Sequence, residues 1–196
     1  MIQYLRQSIN SMKADEDVFK ALLKKQPYYE MNDCNSVIRF GNPDSLLRLT
    51  VLSNPYCNPC ARMHKRIEKL LQVNNNISVQ YILSSFGETL NSTNKYLIAA
   101  CLANNDHPSP SKGEELSGIM QIVGDWFEKG KPQKEDYFKD MSLNMENLEI
   151  ETEYAKHEAW KEKSQIRGTP TVLINGYQLP ESYKIEDLRY FTNLDL

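Results

Sequence analysis

The 196-residue sequence lacks a long apolar run and has a mean hydropathy of −0.58, so it contains no candidate membrane span. It also lacks a marked charge of either sign, because its formal net charge is −3. That balance gives no electrostatic reason to expect nucleic acid as a partner. The first residues, Met1–Ser8, lack the basic start and apolar stretch of an export signal. A chain with 40% hydrophobic residues buries one core, so we expect one domain, with or without an insertion.

Cysteine is scarce as well. The four cysteines, Cys34, Cys57, Cys60 and Cys101, are too few to build a disulfide scaffold in a chain that folds by burying a core. Their spacing is more informative than their number, because only two residues separate Cys57 from Cys60.

Alternating apolar and polar residues predict two strands that frame one helix. The strand patterns cover Leu47–Val51 and Ile77–Leu83, and the helix covers roughly Pro59–Val73. A connection of this kind places the two strands parallel in one sheet. Further along the chain, Thr171–Ile174 and the residues after Asn175–Gly176 predict a β-hairpin.

The remaining patterns are helical. Helices are expected within 1–25, over Lys95–Ala103, Leu116–Phe127 and Asn147–Gln165, and at Leu188 and Phe191, with a break at Asp106–Lys112. The order of elements therefore predicts an α/β core that is interrupted by a helical insertion.

The segment Cys57-Asn58-Pro59-Cys60 falls where a predicted strand has ended and a helix begins. Two intervening residues on a starting helical turn let the sulfurs reach bonding distance. Unpaired N–H groups and the helix dipole at that end favour a thiolate at Cys57, which makes it a better nucleophile at neutral pH. Pro59 is tolerated there because its missing N–H would have no helical partner.

Two other chemistries use such residues. Two cysteines at this spacing also bind zinc, but zinc needs two more ligands, and Cys34, Cys101, His64, His107 and His157 are scattered singly. A cysteine–histidine protease would need a histidine and an orienting partner near Cys57, and no pattern in the sequence indicates such a pair. A redox pair therefore fits the pattern better than either.

The sequence resembles the thioredoxin superfamily in two motifs. Pro55-Tyr56-Cys57-Asn58-Pro59-Cys60 follows a predicted strand, and Gly168-Thr169-Pro170-Thr171 precedes another. The resemblance implies an α/β thioredoxin fold, with a central mixed β-sheet flanked by helices, and Cys57 and Cys60 as catalytic residues. It also implies a cis Pro170 beside the pair and substrate contacts by Thr169, Pro170, Tyr56 and Pro59.

The spacing of the motifs resembles one branch of that superfamily, because Pro170 lies 110 positions after Cys60. This spacing is far longer than in a minimal thioredoxin. A long, helical insertion of this kind is typical of the DsbA-like branch and of thioredoxin-like domains fused to vitamin K epoxide reductase homologues. The expected units are an N-terminal segment at 1–36, a βαβ half at 37–92, a helical insertion at 93–165, and a hairpin with the C-terminal helix at 166–196.

The resemblance implies an enzyme that exchanges disulfides with protein thiols and needs no cofactor. It favours a periplasmic or cell-envelope location, in which the chain is a domain of a larger protein. A membrane protein is then a candidate redox partner, and a cytoplasmic location stays open. A non-catalytic thioredoxin-like binding or accessory module of a larger envelope protein is the alternative. The oligomeric state is not readable from the sequence.

The chain also departs from thioredoxin. Val51 occupies the position of a buried aspartate, Tyr56 that of a tryptophan, and the dipeptide between the cysteines is Asn-Pro. The missing aspartate leaves Glu68 or solvent as the proton acceptor. Elsewhere, Cys101 is expected to be a buried free thiol, Cys34 an exposed loop residue, and His64 a surface residue on the helix after the pair.

Overall fold

A computed structural model describes residues 2–84, 91–105, 115–191 and 194. Its centre is a five-stranded sheet in the order β1-β3-β2-β4-β5. The strands are β1 (Arg39–Gly41), β2 (Arg48–Ser53), β3 (Ser78–Leu83), β4 (Thr171–Ile174) and β5 (Tyr177–Gln178). Only β2 and β3 pair in parallel, while the other three pairs are antiparallel. The predicted mixed sheet, the parallel βαβ unit and the hairpin are confirmed.

Helices cover the sheet, and several of them lie between β3 and β4 along the chain. They are α1 (Ile2–Ala14), α2 (Glu16–Leu23), α3 (Asn58–Val73), α4 (Asn91–Asn105), α5 (Glu115–Asp125), a π-helical turn (Trp126–Gly130), α6 (Lys131–Gln133), a 3-10 helix (Lys134–Phe138), α7 (Leu148–Ser164) and a last 3-10 helix (Ile185–Tyr190). In the described ranges, no strand lies between β3 and β4. The expected break at Asp106–Lys112 and the residue His107 lie outside the described residues.

The central strand β2 is buried on both of its faces. Leu49 and Val51 belong to the same apolar cluster as Ile67 of α3. Leu52 points to the opposite side of the sheet and packs in a second cluster with Trp160 of α7. Apolar and polar residues therefore alternate in only part of this strand, because helices cover both faces of the sheet and bury side chains on each.

The N-terminal segment, expected to precede the main body, is packed into it. Phe19 of α2 is fully buried, and its ring stacks on Phe191 at 4.4 Å between centroids. Tyr28 forms an isolated bridge with Tyr177 of β5. The hairpin turn next to this contact has positive φ at both Asn175 and Gly176, as a two-residue hairpin turn requires.

A buried charge cluster fixes α7 against the segment before β1. The N–H of Val37 donates to Glu153 Oε1 at 2.7 Å, and His157 Nε2 lies 3.1 Å from the same oxygen. Burial alone would disfavour the charged carboxylate. The bonds from His157, Lys156 and Val37 outweigh that effect and lower the pKa of Glu153 to about 2.

We therefore expect Glu153→Gln to destabilise the protein at neutral pH by about 2–3 kcal/mol. Since the folded-state pKa is lower than the unfolded one, the carboxylate stabilises the fold above about pH 4.5, and this contribution is lost as the pH falls towards 2. Urea unfolding at pH 7 and pH 3 measures the difference. The exposed Glu162→Gln is the control and should leave stability unchanged, while an equal loss at both pH values would contradict the assignment.

Candidate active site

The helix α3 begins at the pair of cysteines. Cys57 is its N-cap residue, with extended backbone angles (φ −79, ψ 121), and its sulfur accepts the N–H of Cys60 at 3.4 Å. Asn58 and Pro59 form the start of the first turn. Both the strand before and the helix after were readable from the sequence, so the position of the pair follows from the local pattern.

The two thiols lie in different surroundings. Cys57 is partly exposed, whereas Cys60 has only 2% of its surface accessible. Burial raises the pKa of Cys60 to about 11. Desolvation acts in the same sense on Cys57, but the bonds from the thiol and the N–H of Cys60 outweigh it and, with the nearby charge of Lys131, lower the Cys57 pKa. The exposed thiol is therefore the one that ionises more readily.

The loop before β4 lies against this pair. The peptide bond between Thr169 and Pro170 is cis, as the resemblance implies, and the Cys57 thiol donates to the Thr169 carbonyl at 3.5 Å. The strands β2 and β4 are direct neighbours in the sheet, with Leu52 opposite Thr171. The sheet thus brings together two motifs that are far apart in sequence.

The helical region between β3 and β4 holds the loop that leads into the pair. The indole N–H of Trp126, in the π-helical turn, donates to the carbonyl of Pro55 at 2.9 Å. The Trp126 ring contacts Tyr56 edge to face at 5.6 Å, and the Tyr56 hydroxyl bonds Thr93 Oγ1 at 2.9 Å. The apolar stripe in the sequence predicted Trp126 as a core residue. It did not predict the bond to Pro55, because that carbonyl is 71 positions away.

His64 is buried, with 1% of its surface accessible, so the expectation of a surface residue was wrong. The buried face of α3 includes both Cys60 and His64, since four positions amount to about one helical turn. His64 Nδ1 bonds the Tyr81 hydroxyl at 2.8 Å, and Nε2 lies 3.2 Å from the Met120 carbonyl and 3.4 Å from Glu68. The bond with His64 lowers the pKa of Glu68.

The other two cysteines are buried free thiols. For Cys101 this confirms the expectation. For Cys34 it corrects the expectation of an exposed loop residue, because Cys34 packs in the cluster of Leu52 and Trp160 beneath α7. Burial raises the pKa of each thiol to about 12, which disfavours a thiolate at either.

The remaining candidate ligands do not come together in the described residues. No group of three or more His, Cys, Asp or Glu side chains is arranged there to hold a metal ion. The buried His157 bonds Ser36 Oγ at 3.0 Å and accepts the Leu83 N–H at 3.3 Å.

A mixed five-stranded sheet, two cysteines at the start of α3 and a cis proline facing them together define a thioredoxin fold. The family model described as "Thioredoxin" matches residues 34–193, and the chain belongs to this family. Among proteins with curated descriptions, none matches the chain.

Several solved structures are similar to this chain over most of its length. A compact conformation of ScsC from Proteus mirabilis has a TM-score of 0.53 and 15% identity, with 97% of this chain and 87% of that chain covered. The thiol-disulfide exchange protein α-DsbA2 from Wolbachia pipientis has a TM-score of 0.50 and 17% identity, covering 93% and 95%. A periplasmic thioredoxin-like protein from Salmonella enterica serovar Typhimurium has a TM-score of 0.51 and 14% identity, with 83% of this chain and 92% of that chain covered.

These comparisons show that the chain belongs to the thioredoxin family and shares its fold with these solved structures. Among the described residues, no helix is long and apolar enough to span a membrane.

Proposed function

We propose that the protein is a thiol–disulfide oxidoreductase whose redox pair is Cys57 and Cys60. The observation that carries the proposal is the contrast between the two thiols. Cys57 is partly exposed and has a lowered pKa, while Cys60 is buried one turn into the same helix with a raised pKa. This asymmetry suits a nucleophile and the thiol that resolves its product.

The exchange conserves atoms and electrons. In reduction, the Cys57 thiolate attacks one sulfur of a protein disulfide, a mixed disulfide forms, and the other substrate sulfur leaves as a thiolate. Cys60 then loses its proton and attacks Cys57, which releases the second substrate thiol and leaves a Cys57–Cys60 disulfide. Two electrons pass to the substrate, and the reverse sequence introduces a disulfide into it.

The substrate site that we propose surrounds Cys57. Thr169 presents backbone groups beside the sulfur, since its carbonyl lies 3.5 Å from Cys57 Sγ. Tyr56 directly precedes Cys57, Pro59 lies between the two cysteines, and Pro170 directly follows Thr169, so we propose that these three residues contact the substrate polypeptide.

The setting of the reaction is also part of the proposal. We infer a periplasmic or cell-envelope location, with the chain as a domain of a larger protein and a membrane redox partner. In this respect the chain would be similar to the thioredoxin-like domains that are fused to vitamin K epoxide reductase homologues. The description of the Salmonella neighbour as periplasmic supports the location. In this arrangement, 37–92 and 166–196 form the thioredoxin fold, 93–165 the helical insertion and 1–36 the N-terminal segment.

Exchange with glutathione and with a disulfide-containing protein such as insulin tests the proposal. Cys57→Ser should lower the exchange rate by about a thousandfold or more, because the nucleophile is lost. Cys101→Ala is the matched control, since that thiol is buried and free, and it should keep the wild-type rate. A wild-type protein that exchanges no faster than Cys57→Ser would instead indicate a non-catalytic binding module.

A further inference from the structure

One lysine of the helical region reaches the start of α3. The π-helical turn at Trp126–Gly130 leads directly into α6, whose first residue is Lys131. The Lys131 ammonium donates a hydrogen bond to Asn58 Oδ1. Asn58 directly follows Cys57, so the ammonium is held at the end of α3 that carries the exposed thiol.

The bonding of Lys131 differs from that of nearby lysines. Lys65 and Lys129 form ion pairs with Glu128 and Asp125 at 2.6 and 2.8 Å. Lys131 instead bonds a neutral amide oxygen, and such a bond orients the ammonium without cancelling its charge.

The position of that charge matters for the chemistry of Cys57. The bonds from Cys60 and Thr169 outweigh desolvation and lower the Cys57 pKa, and the Lys131 charge acts in the same direction. The groups that act on Cys57 in the described residues come from three elements: Cys60 and the first turn of α3, Thr169 of the proline loop, and Lys131 of α6.

We propose that Lys131 is a positioning residue through which the helical insertion stabilises the thiolate of Cys57, with Asn58 fixing the place of the charge. The inference rests on the proposed function, because it names the residue that tunes its nucleophile. A stabilised thiolate favours the dithiol form, so Lys131 makes the Cys57–Cys60 pair more oxidising. A residue outside the first turn of α3 and the proline loop thus adjusts the redox potential of the pair.

The test compares Lys131→Met with Lys131→Arg and Lys129→Met. The rate of Cys57 alkylation, measured below the pKa of the thiol with peptide mapping, should fall about two- to fivefold in Lys131→Met. Lys131→Arg keeps the charge and should retain most of the rate. Lys129→Met removes a charge two positions away that is already paired with Asp125, and it should change little.

Salt dependence separates a charge effect from a packing effect. The difference between wild type and Lys131→Met should shrink between about 0.05 M and about 1 M salt, because the interaction is partly exposed to solvent. Asn58→Ala should slow alkylation in the same direction, and adding Lys131→Met to it should change the rate less than in the wild-type background.

The equilibrium with glutathione gives an independent readout. In that reaction the protein dithiol and glutathione disulfide yield the protein disulfide and two glutathione thiols. At a pH above the pKa of Cys57, where the dithiol form carries the thiolate, Lys131→Met should shift the equilibrium towards the protein disulfide by about the same two- to fivefold factor. Unchanged alkylation in Lys131→Met, or an equal change in Lys129→Met, would overturn the inference. If the wild-type protein performed no exchange, the proposed function would fail, while thiolate titration would still report on Lys131.

Discussion

Replacing Cys60 by serine is expected to convert the protein into a trap for its substrates. Cys57 would still attack, since its exposure and position at the N-terminus of α3 do not depend on the Cys60 sulfur. The resolving thiol would be missing, so mixed disulfides with substrate proteins should accumulate and separate on adding a reductant. Non-reducing gels of the variant incubated with an unfolded disulfide-containing protein would show the adduct as a band of higher mass.

The reciprocal variant is the control for that trap. Cys57→Ser leaves only Cys60, which has 2% of its surface accessible and a pKa raised to about 11, so it should trap no substrate. Cys34→Ala on the Cys60→Ser background should trap as well as Cys60→Ser alone. Adducts on Cys60 in Cys57→Ser, identified by peptide mapping, would show that the roles of the two thiols are reversed.

Trp126→Ala is expected to destabilise the protein strongly. The indole is fully buried, stacks on Phe138 at 5.2 Å between ring centroids, and donates to the Pro55 carbonyl. Its removal leaves a large cavity and an unsatisfied carbonyl, which together should cost about 3–5 kcal/mol. Equilibrium unfolding in urea measures this loss.

Two further variants separate the contributions of Trp126. Trp126→Phe keeps most of the ring packing and removes the N–H, so its cost should be about 1–2 kcal/mol. Tyr4→Ala removes an aromatic ring that is 72% exposed and should be nearly neutral. If Trp126→Ala were as mild as Tyr4→Ala, the helical region would not hold the loop before Cys57 as described.

Local patterns were sufficient to predict the parts of the fold that have a clear period. The alternation before Cys57 predicted β2, and the pair of Asn175 and Gly176 predicted the turn of the hairpin. The edge strand Arg39–Gly41 was missed, because three residues are too short for alternation to be recognised. The place of Cys57 and Cys60 at the start of a helix was predicted for the same local reason, since the two cysteines lie within four consecutive residues.

Burial of polar side chains could not be predicted in this way. His64 lies between Met63 and Lys65 in sequence, and its partners Tyr81 and Met120 are 17 and 56 positions away. Cys34 is surrounded by Asn and Asp in sequence, yet the fold places it beneath α7. The contact between Lys131 and Asn58 spans 73 positions, and no local signal marks it.

The pairing of β2 with β4 has a consequence for the order in which the protein can become active. Cys57 and Thr169 are 112 positions apart, and only the docking of β4 beside β2 brings them together. A chain that emerges from the ribosome amino end first exposes both cysteines long before that strand exists. We therefore expect the nascent protein to carry an accessible dithiol with no proline loop beside it, and the proposed substrate contacts of Thr169 and Pro170 to form only when the carboxyl-terminal hairpin has joined the sheet.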